Sequence, residues 1–355
     1  MKAAAPLSFI NDSHQVRTLF PFEKYSQCII LVDENTKAHC LPLLLNANEI
    51  LAEARVVEIV SGEVNKNLTT CDNVWQQLFE WQIDRDALLI NLGGGVISDM
   101  GGFIASLYKR GIDFVNIPTT LLAMVDATVG GKIGIDFHDI KNGIGLFQQP
   151  VYIFIYAEFL NTLPHTEFLS GYAEVVKHAL ITEDATYWNE VKQIQPTATL
   201  PSKDTIQQII QKSIAIKQSI THADYKETGM RKVLNLGHTI GHAIESFALK
   251  NNQPIPHGYA VAWGIIAELY LAQNVIDFPE AQRLEIEKYL LNIYRNQFDL
   301  QFQYADLIPF LKNDKKNIQH QLSFTLLQQM GNPEYNIACN EQDVKKAVHY
   351  LGEIL

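Results

Sequence analysis

Long apolar runs are missing from this chain of 355 residues. The N-terminal "MKAAAPLSFINDSHQ" has an apolar run too short for a signal peptide or a membrane span. The most apolar long stretch, "ALLINLGGGVISDMGGFIASLY", is broken by five glycines and Asp99, so it reads as a buried strand, a turn and a helix. Close cysteine pairs are missing too. Cys28, Cys40, Cys71 and Cys339 are scattered singly, with no spacing for a redox motif or a zinc knuckle, and a reduced, cytoplasmic protein is expected. Positive charge is scarce: 28 Lys and Arg stand against 39 Asp and Glu, a formal net charge of -11. That argues against nucleic acid, whose phosphates recruit net-basic surfaces, although a local basic pocket can still hold a small anion. No internal repeat and no low-complexity tract is present. What remains, 47% hydrophobic and 19% charged residues, is an ordinary folded composition long enough for two domains or one large one.

The first 160 or so residues alternate short apolar runs with amphipathic segments. "QCIILVDENT", "VVEIVSGE", "ALLINLGGG", "FVNIPTT" and "VYIFIY" read as strands. "NLTTCDNVWQQLFEWQI" has helical spacing with Thr70 or Asp72 as its expected cap, and a further helix is expected from about Asp99. Such alternation predicts a parallel sheet covered by helices. From about Leu163 the texture changes. "HTEFLSGYAEVVKHALI", "DTIQQIIQKSIAIKQSITHAD", "GHTIGHAIESFALK", "GYAVAWGIIAELYLAQ" and "EAQRLEIEKYLLNIY" show helical periodicity, and strand signals almost vanish. The expected fold is therefore an α/β domain over 1–162 followed by a mainly helical domain over 163–355, with a cleft between the two as the default site.

In "NLGGGVISDMGG", Gly93, Gly95 and Ser98 hold the marked positions of a dinucleotide fingerprint. Small residues there let a pyrophosphate approach helix N–H groups, or simply make a tight structural turn. "IPTTLLAMVDATVGGKIGIDFHDIKNGIG", read as loops, carries Thr119, Thr120, Asp126, Lys132, Lys141 and Asn142 among five glycines. This mixture suits phosphate or ribose; a solvated loop is the plainer alternative. His238 and His242 in "RKVLNLGHTIGHAIE" lie four apart on one helical face. A metalloprotease would need glutamate directly after the first histidine, and Thr239 is there instead. For a catalytic zinc with three protein ligands, the candidates are His238, His242, His257 and Glu174, and spacing alone does not choose among them. Glu174 and Lys177 share a helical face in "SGYAEVVKHALI". Lys217, Arg231, Lys232, Lys315 and Lys316 read equally as solvated charges.

Together, "GGGVISDMGGF", "YKRGIDFVNIPTTLLAMVDATVGGKIGID", "KNGIGLFQQP", "GYAEVVKHALI", "KVLNLGHTIGHAIE", "HGYAVAWG" and "NDKKN" resemble, in order, the 3-dehydroquinate synthase family of sugar phosphate cyclases. The resemblance spans about Ser61 to Asn317. It implies an N-terminal α/β nucleotide-binding domain, a helical metal-binding domain and a carbon–oxygen lyase of aromatic amino acid biosynthesis. The implied substrate is 3-deoxy-D-arabino-heptulosonate 7-phosphate, and the products are 3-dehydroquinate and phosphate. Bound NAD+ would oxidise the hydroxyl at carbon 5, phosphate would leave by β-elimination, the hydride would return, and ring opening and an aldol step would close the carbocycle.

The resemblance also assigns residues. Glu174, His238 and His257 match ligands of one divalent metal ion, zinc or cobalt, while His242 matches a substrate-side residue near the phosphate. Ser61, Gly62, Glu63 and Lys66 match the adenosine end of the cofactor site, and Gly95, Val96, Ile97, Ser98 and Asp99 match its pyrophosphate loop. Thr119, Thr120, Asp126, Lys132, Lys141, Phe159, Leu160, Asn161 and Thr162 match further cofactor contacts. Lys132, Asn142, Lys177, Lys217, Arg231, Asn235, His242 and Lys316 match the substrate pocket, where a carboxylate and a phosphate account for the many cations. Arg110 matches an arginine reaching into a neighbouring subunit's site, which implies a homodimer. Three residues depart from the family pattern: Ser98 for glycine, Ser61 for aspartate and Tyr259 for glutamate. A sister cyclase such as 2-deoxy-scyllo-inosose synthase, a metal-dependent alcohol or glycerol dehydrogenase, and a non-catalytic homologue are the rival readings. Lys217, Arg231, Asn235 and His242 favour an acid substrate over the first, and the ligand set favours an enzyme over the last.

Overall fold

The computed structural model describes residues 4–46, 49–138, 140–196, 200–295, 297–312 and 322–355. The chain divides into two compact units, Met1–Pro164 and His165–Leu355. No helix among the described residues is long and apolar enough to cross a membrane.

The first unit contains strands β1 (Leu7–Phe9), β2 (Cys28–Asp33), β3 (Arg55–Ile59), β4 (Leu88–Gly93), β5 (Asp113–Pro118), β6 (Lys132–Phe137), β7 (Ile140–Phe147) and β8 (Tyr152–Ile155). Six of them form one sheet in the order β1-β8-β5-β4-β2-β3, and every pair is parallel. β4, "LLINLG", is buried along its whole length, as a parallel strand covered on both faces must be. From β2 the chain steps outward to β3, then returns past β2 to β4 and continues the other way to β5. This reversal between β2 and β4 is where α/β sheets hold ligands, at the carboxyl ends of the strands.

One face of the sheet is covered by helices Leu68–Glu80 and Gly95–Leu107. Val74, Leu78, Ile97, Met100 and Ile104 join Ile29, Leu31, Val57 and Leu89 in one buried cluster, each side chain contributing about 1.5–3 kcal/mol. Asn67, rather than Thr70 or Asp72, caps the first of these helices: its extended backbone lets its side chain accept from the Thr70 N–H. The second begins at Gly95, four residues before the expected start, because Gly94 already has the extended N-cap conformation. The polar, glycine-rich stretch expected as loops is largely structured. Ala123–Ala127 form a π-helical turn, and β6 pairs with β7 as an antiparallel hairpin. The hairpin packs Ile133 and Ile135 into the core. At Gly102 an added Cβ would lie 2.6 Å from Ile133 Cγ2, so glycine makes this approach possible.

The second unit is mainly helical and built around His257–Val275, which is buried almost throughout. A helix apolar on all sides belongs at the centre of a bundle. Helices His165–Ile181, His238–Lys250, Glu280–Tyr294 and Glu341–Ile354 pack around it. A hairpin of β9 (Leu322–Gln329) and β10 (Asn332–Cys339) also belongs to this mainly helical unit, though no strand was read from the sequence there. The first six residues of β9 are all buried, so no alternation betrays it, and Pro333 sits at a register shift in β10.

Candidate active site

His238 and His257 are each the first residue of a helix, and Glu174 lies within His165–Ile181. Glu174 Oε1 is 3.6 Å from His238 Nε2 and 3.6 Å from His257 Nε2. That is too long for a direct hydrogen bond, but it is close to the edge of about 3.4 Å between donors of a tetrahedral ion with bonds near 2.1 Å. The remaining ring nitrogens are already used. His238 Nδ1 is 3.0 Å from the Leu236 carbonyl, and His257 Nδ1 is 3.3 Å from Glu245 Oε2. In metal sites such partners fix the tautomer and leave Nε2 as the donor. These residues therefore fit a divalent ion. Loss of water would push the His257 imidazolium down, but Glu245 and Glu174 outweigh it and raise its pKa to about 10.

Lys177 pairs with the fully buried Glu174 one turn away and is itself 1% exposed. The His242 ring lies 5.1 Å from that of His238 and 5.7 Å from that of His257. Ligand atoms of these three histidines also come within 4.8 Å of one another. The helix bearing Lys217 and the helix bearing Glu174 both pack on the turn Met230–Asn235. Within it the buried Arg231 donates to the Tyr225 carbonyl at 2.7 Å, and Asn235 donates to Glu227 Oε1 at 3.0 Å. Lys177, Lys217 and Arg231 are all buried cations, which suits an anionic ligand because buried charge needs counter-charge. Lys315 and Lys316 lie outside the described residues.

In the first unit, Gly62 has φ +100° in open space, and Ser61 is held by Glu34, which accepts from its N–H at 2.9 Å and its hydroxyl at 2.5 Å. Lys66 is 3% exposed and reaches Asp99 Oδ2 and Asn142 Oδ1, both at 2.7 Å. Burial opposes its charge, but Asp99 and Glu63 overcome this and hold it above its ordinary value. The structure thus joins Lys66 and Asp99, expected on the cofactor, to Asn142, expected on the substrate. Lys141 Nζ is 3.9 Å from Glu63, and Lys132 opens β6 with its side chain exposed. Asp126 sits in the π-helical turn.

In the glycine turn, an added Cβ at Gly94 would meet Thr120 Cγ2 at 3.1 Å and one at Gly95 would meet Ala127 Cβ at 3.5 Å. Thr119 donates its N–H to the Gly93 carbonyl at 3.0 Å, and Thr120 Oγ1 accepts from Ala123. Ile97 belongs to the core, whereas Val96 is partly buried against it. Ser98 is buried, with its hydroxyl donating to the Gly94 carbonyl at 2.7 Å. Phe159 and Leu160 turn into the core, while Asn161 and Thr162 are exposed. Arg110 is exposed on a left-handed turn in which Lys109, Arg110 and Gly111 have φ of 48°, 72° and 113°; such backbone is costly and concentrates at functional sites.

Tyr259 is fully buried, edge-on to Tyr294 and Phe298 at 5.2 and 5.0 Å. Three carboxylates escaped sequence reasoning: Glu245 against His257, Glu227 against Asn235, and Glu268. Only Glu245 carried a signal, seven residues after His238 on the same helical face.

A family model described as 3-dehydroquinate synthase N-terminal matches residues 56–170, and its C-terminal counterpart matches 171–317. A 3-dehydroquinate synthase of Parabacteroides distasonis is 38% identical over 335 residues, covering 93% of this chain and 92% of its own. One from Leptospira interrogans is 38% identical over 295 residues, covering 83% and 81%. Among solved structures, a 2-deoxy-scyllo-inosose synthase complexed with carbaglucose-6-phosphate, NAD+ and Co2+ superposes with a TM-score of 0.84 at 22% identity, over 99% of this chain and 100% of its own. The 2-epi-5-epi-valiolone synthase ValA of Streptomyces hygroscopicus, with NAD+ and Zn2+ bound, superposes with a TM-score of 0.86 at 21% identity, over 99% and 98%. The structures share the fold, and the sequences decide the rest: the chain belongs to the 3-dehydroquinate synthase family.

Proposed function

We propose that this protein converts 3-deoxy-D-arabino-heptulosonate 7-phosphate into 3-dehydroquinate and phosphate. It acts as a carbon–oxygen lyase that uses NAD+ catalytically together with one divalent metal ion. The observation that carries the metal assignment is the placing of Glu174 Oε1 3.6 Å from both His238 Nε2 and His257 Nε2. Those three residues hold the ion, Zn2+ or Co2+, which when bound supplies Lewis-acid polarisation of a substrate hydroxyl. NAD+ supplies hydride acceptance and return, and the first unit binds it. Gly95 to Asp99 offer a helix start to its pyrophosphate. Ser61, Gly62, Glu63, Lys66, Thr119, Thr120, Asp126, Lys132, Lys141 and the 159–162 turn are assigned to its remaining parts.

Lys177, Lys217 and Arg231 bind and orient the substrate's anionic groups, aided by Asn235, Lys132, Asn142 and Lys316. The burial of Lys177, Lys217 and Arg231 strengthens the charge-assisted bonds that these three make. His242, one helical turn from His238, is left to hold or move a proton beside the phosphate. Arg110, presented on its strained turn, is assigned to a neighbouring subunit's site, so the working form is a homodimer. With four free cysteines, a reducing cytoplasm is the compartment assigned.

The test is incubation of the protein with the heptulosonate phosphate and catalytic NAD+, following phosphate and 3-dehydroquinate together. Equal release of both, lost on chelation and restored by zinc, is the expected result. Turnover of sedoheptulose 7-phosphate or glucose 6-phosphate instead assigns a sister cyclase, and NADH accumulating with simple alcohols assigns a dehydrogenase.

A further inference from the structure

His238 opens its helix, so the backbone of residues 236–240 determines where its ring stands. The N–H groups at a helix start are normally satisfied by the N-cap side chain. Here the N-cap is Gly237, with φ +78°, and no side chain fits: an added Cβ would lie 2.5 Å from Ile265 Cγ1 and 2.8 Å from the Val261 carbonyl. The capping group comes instead from the opposing helix. Glu268, fully buried, accepts from the Gly237 N–H at 2.6 Å through Oε2, and from those of Thr239 and Ile240 at 3.0 and 3.1 Å through Oε1. The same segment supplies the Leu236 carbonyl, 3.0 Å from His238 Nδ1.

We propose that Glu268 is the positioning residue of the metal centre. It clamps the segment that carries His238, and it supplies negative charge where the helix start alone would set a positive dipole end beside a divalent cation. A helix N-terminus carries about half a positive charge, which works against binding a cation nearby. A neutral cap from the N-cap position would leave that charge in place, whereas a carboxylate offsets it. The inference rests on the metal assignment of Glu174, His238 and His257, and Glu268 itself touches neither substrate nor ion.

The test uses the full-length protein. Glu268→Gln keeps the volume, removes the charge and leaves one acceptor oxygen for three donors. We expect its Co2+ dissociation constant, measured by competition with a chromogenic chelator, to rise about tenfold or more, the scale at which partners of metal ligands act. The visible Co2+ absorption should change in position or intensity, and NAD+ affinity should stay within twofold. Co2+ affinity and spectrum equal to those of the unaltered protein, with only a lower melting temperature, overturn the proposal and leave Glu268 a plain structural cap. If Glu268→Gln loses its helical circular dichroism, Glu268→Asp carries the test. It retains the charge with a shorter reach, and Co2+ binding as tight as in the unaltered protein overturns the positioning role. Loss of fold in both variants overturns it as well. Failure of the unaltered protein to take up one equivalent of Co2+ that His238→Ala cannot bind removes the metal assignment itself, and this inference with it.

Discussion

Gly264 lies where helices His238–Lys250 and His257–Val275 touch backbone to backbone. A Cβ added there would stand 2.0 Å from the Gly237 carbonyl oxygen and 2.8 Å from the Gly241 N. Neither obstacle is a side chain that can rotate away. Ordinary contact begins near 3.4 Å, so Gly264→Ala must part the two backbones by about 1.4 Å in a close-packed interior. Overpacking of this kind costs about 1–3 kcal/mol, a fall in melting temperature of roughly 2–12 °C for a unit of this size. The functional cost is larger. The two helices begin with His238 and His257, and metal–ligand distances tolerate only about 0.2 Å. Passing on even a third of the displacement breaks the geometry, and a misplacement near 1 Å costs on the order of a hundredfold in rate. We expect Co2+ affinity to fall at least tenfold and turnover about a hundredfold. Gly352→Ala is the control, since the nearest atom to its added Cβ is Phe302 O at 3.9 Å. Replacing glycine there, within a helix, should be neutral or stabilising by up to about 1 kcal/mol. The assays are chelator competition for Co2+, phosphate release and thermal unfolding. A Gly264→Ala protein that binds Co2+ within twofold of the unaltered protein and melts within a degree of it would refute the reasoning.

Lys66→Met should destabilise the first unit by about 2–3 kcal/mol in denaturant titration, below the 3–5 kcal/mol of a fully buried pair because Asp99 is 19% exposed. Because its carboxylate neighbours raise the Lys66 ammonium, its stabilisation is intact at neutral pH and is lost only as pH rises past about 10.4. Ser98→Gly should cost about 1–2 kcal/mol, from a buried hydrogen bond and helix propensity. Its NAD+ affinity should change less than threefold by fluorescence titration, since the hydroxyl is turned to the Gly94 carbonyl; a larger change would place the hydroxyl on the cofactor. Burial pushes Cys28 to about 11 and Cys71 to about 12, and burial together with nearby acids pushes Cys40 and Cys339 to about 12. At pH 8 roughly one Cys28 in a thousand is thiolate, so a disulfide reagent should label all four rapidly only in urea; rapid native labelling would contradict this. His242→Ala should leave Co2+ affinity within threefold while lowering phosphate release at least a hundredfold. Loss of the metal instead would make His242 a ligand.

Five of the six strands of the sheet were legible because each is a short apolar run closed by a turn signal, and β4 shows this most plainly, whereas β1, with only three residues, is too short to carry such a signal. Five helices of the second unit were legible because their apolar residues recur at helical spacing; "HTEFLSGYAEVVKHALI" coincides with His165–Ile181, whereas Ala185–Val191, Tyr304–Lys312 and Glu341–Ile354 were not read from the sequence. Both hairpins were lost for physical reasons. β7 is mostly exposed and interrupted by glycines, so it resembles a loop, and β9 is too uniformly buried to alternate. At the site, the four-residue spacing of His238 and His242 revealed a shared face, but nothing local joins either to Glu174 or His257, which tertiary packing supplies. Glu268 was invisible for the same reason. In sequence it is one more acid in an apolar helix, and only the fold shows the three N–H groups that it meets.

The edge of the parallel sheet carries a consequence for synthesis of the chain. Leu7 of β1 pairs with Ile153 of β8, so during synthesis β1 has no partner until that distant strand has emerged. At about 5–20 residues per second, β1 waits roughly 7–30 s for its neighbour. During that time its backbone N–H and C=O groups are open to whatever else is nearby. A strand of only three residues, Leu7–Phe9, presents little to pair with during the delay.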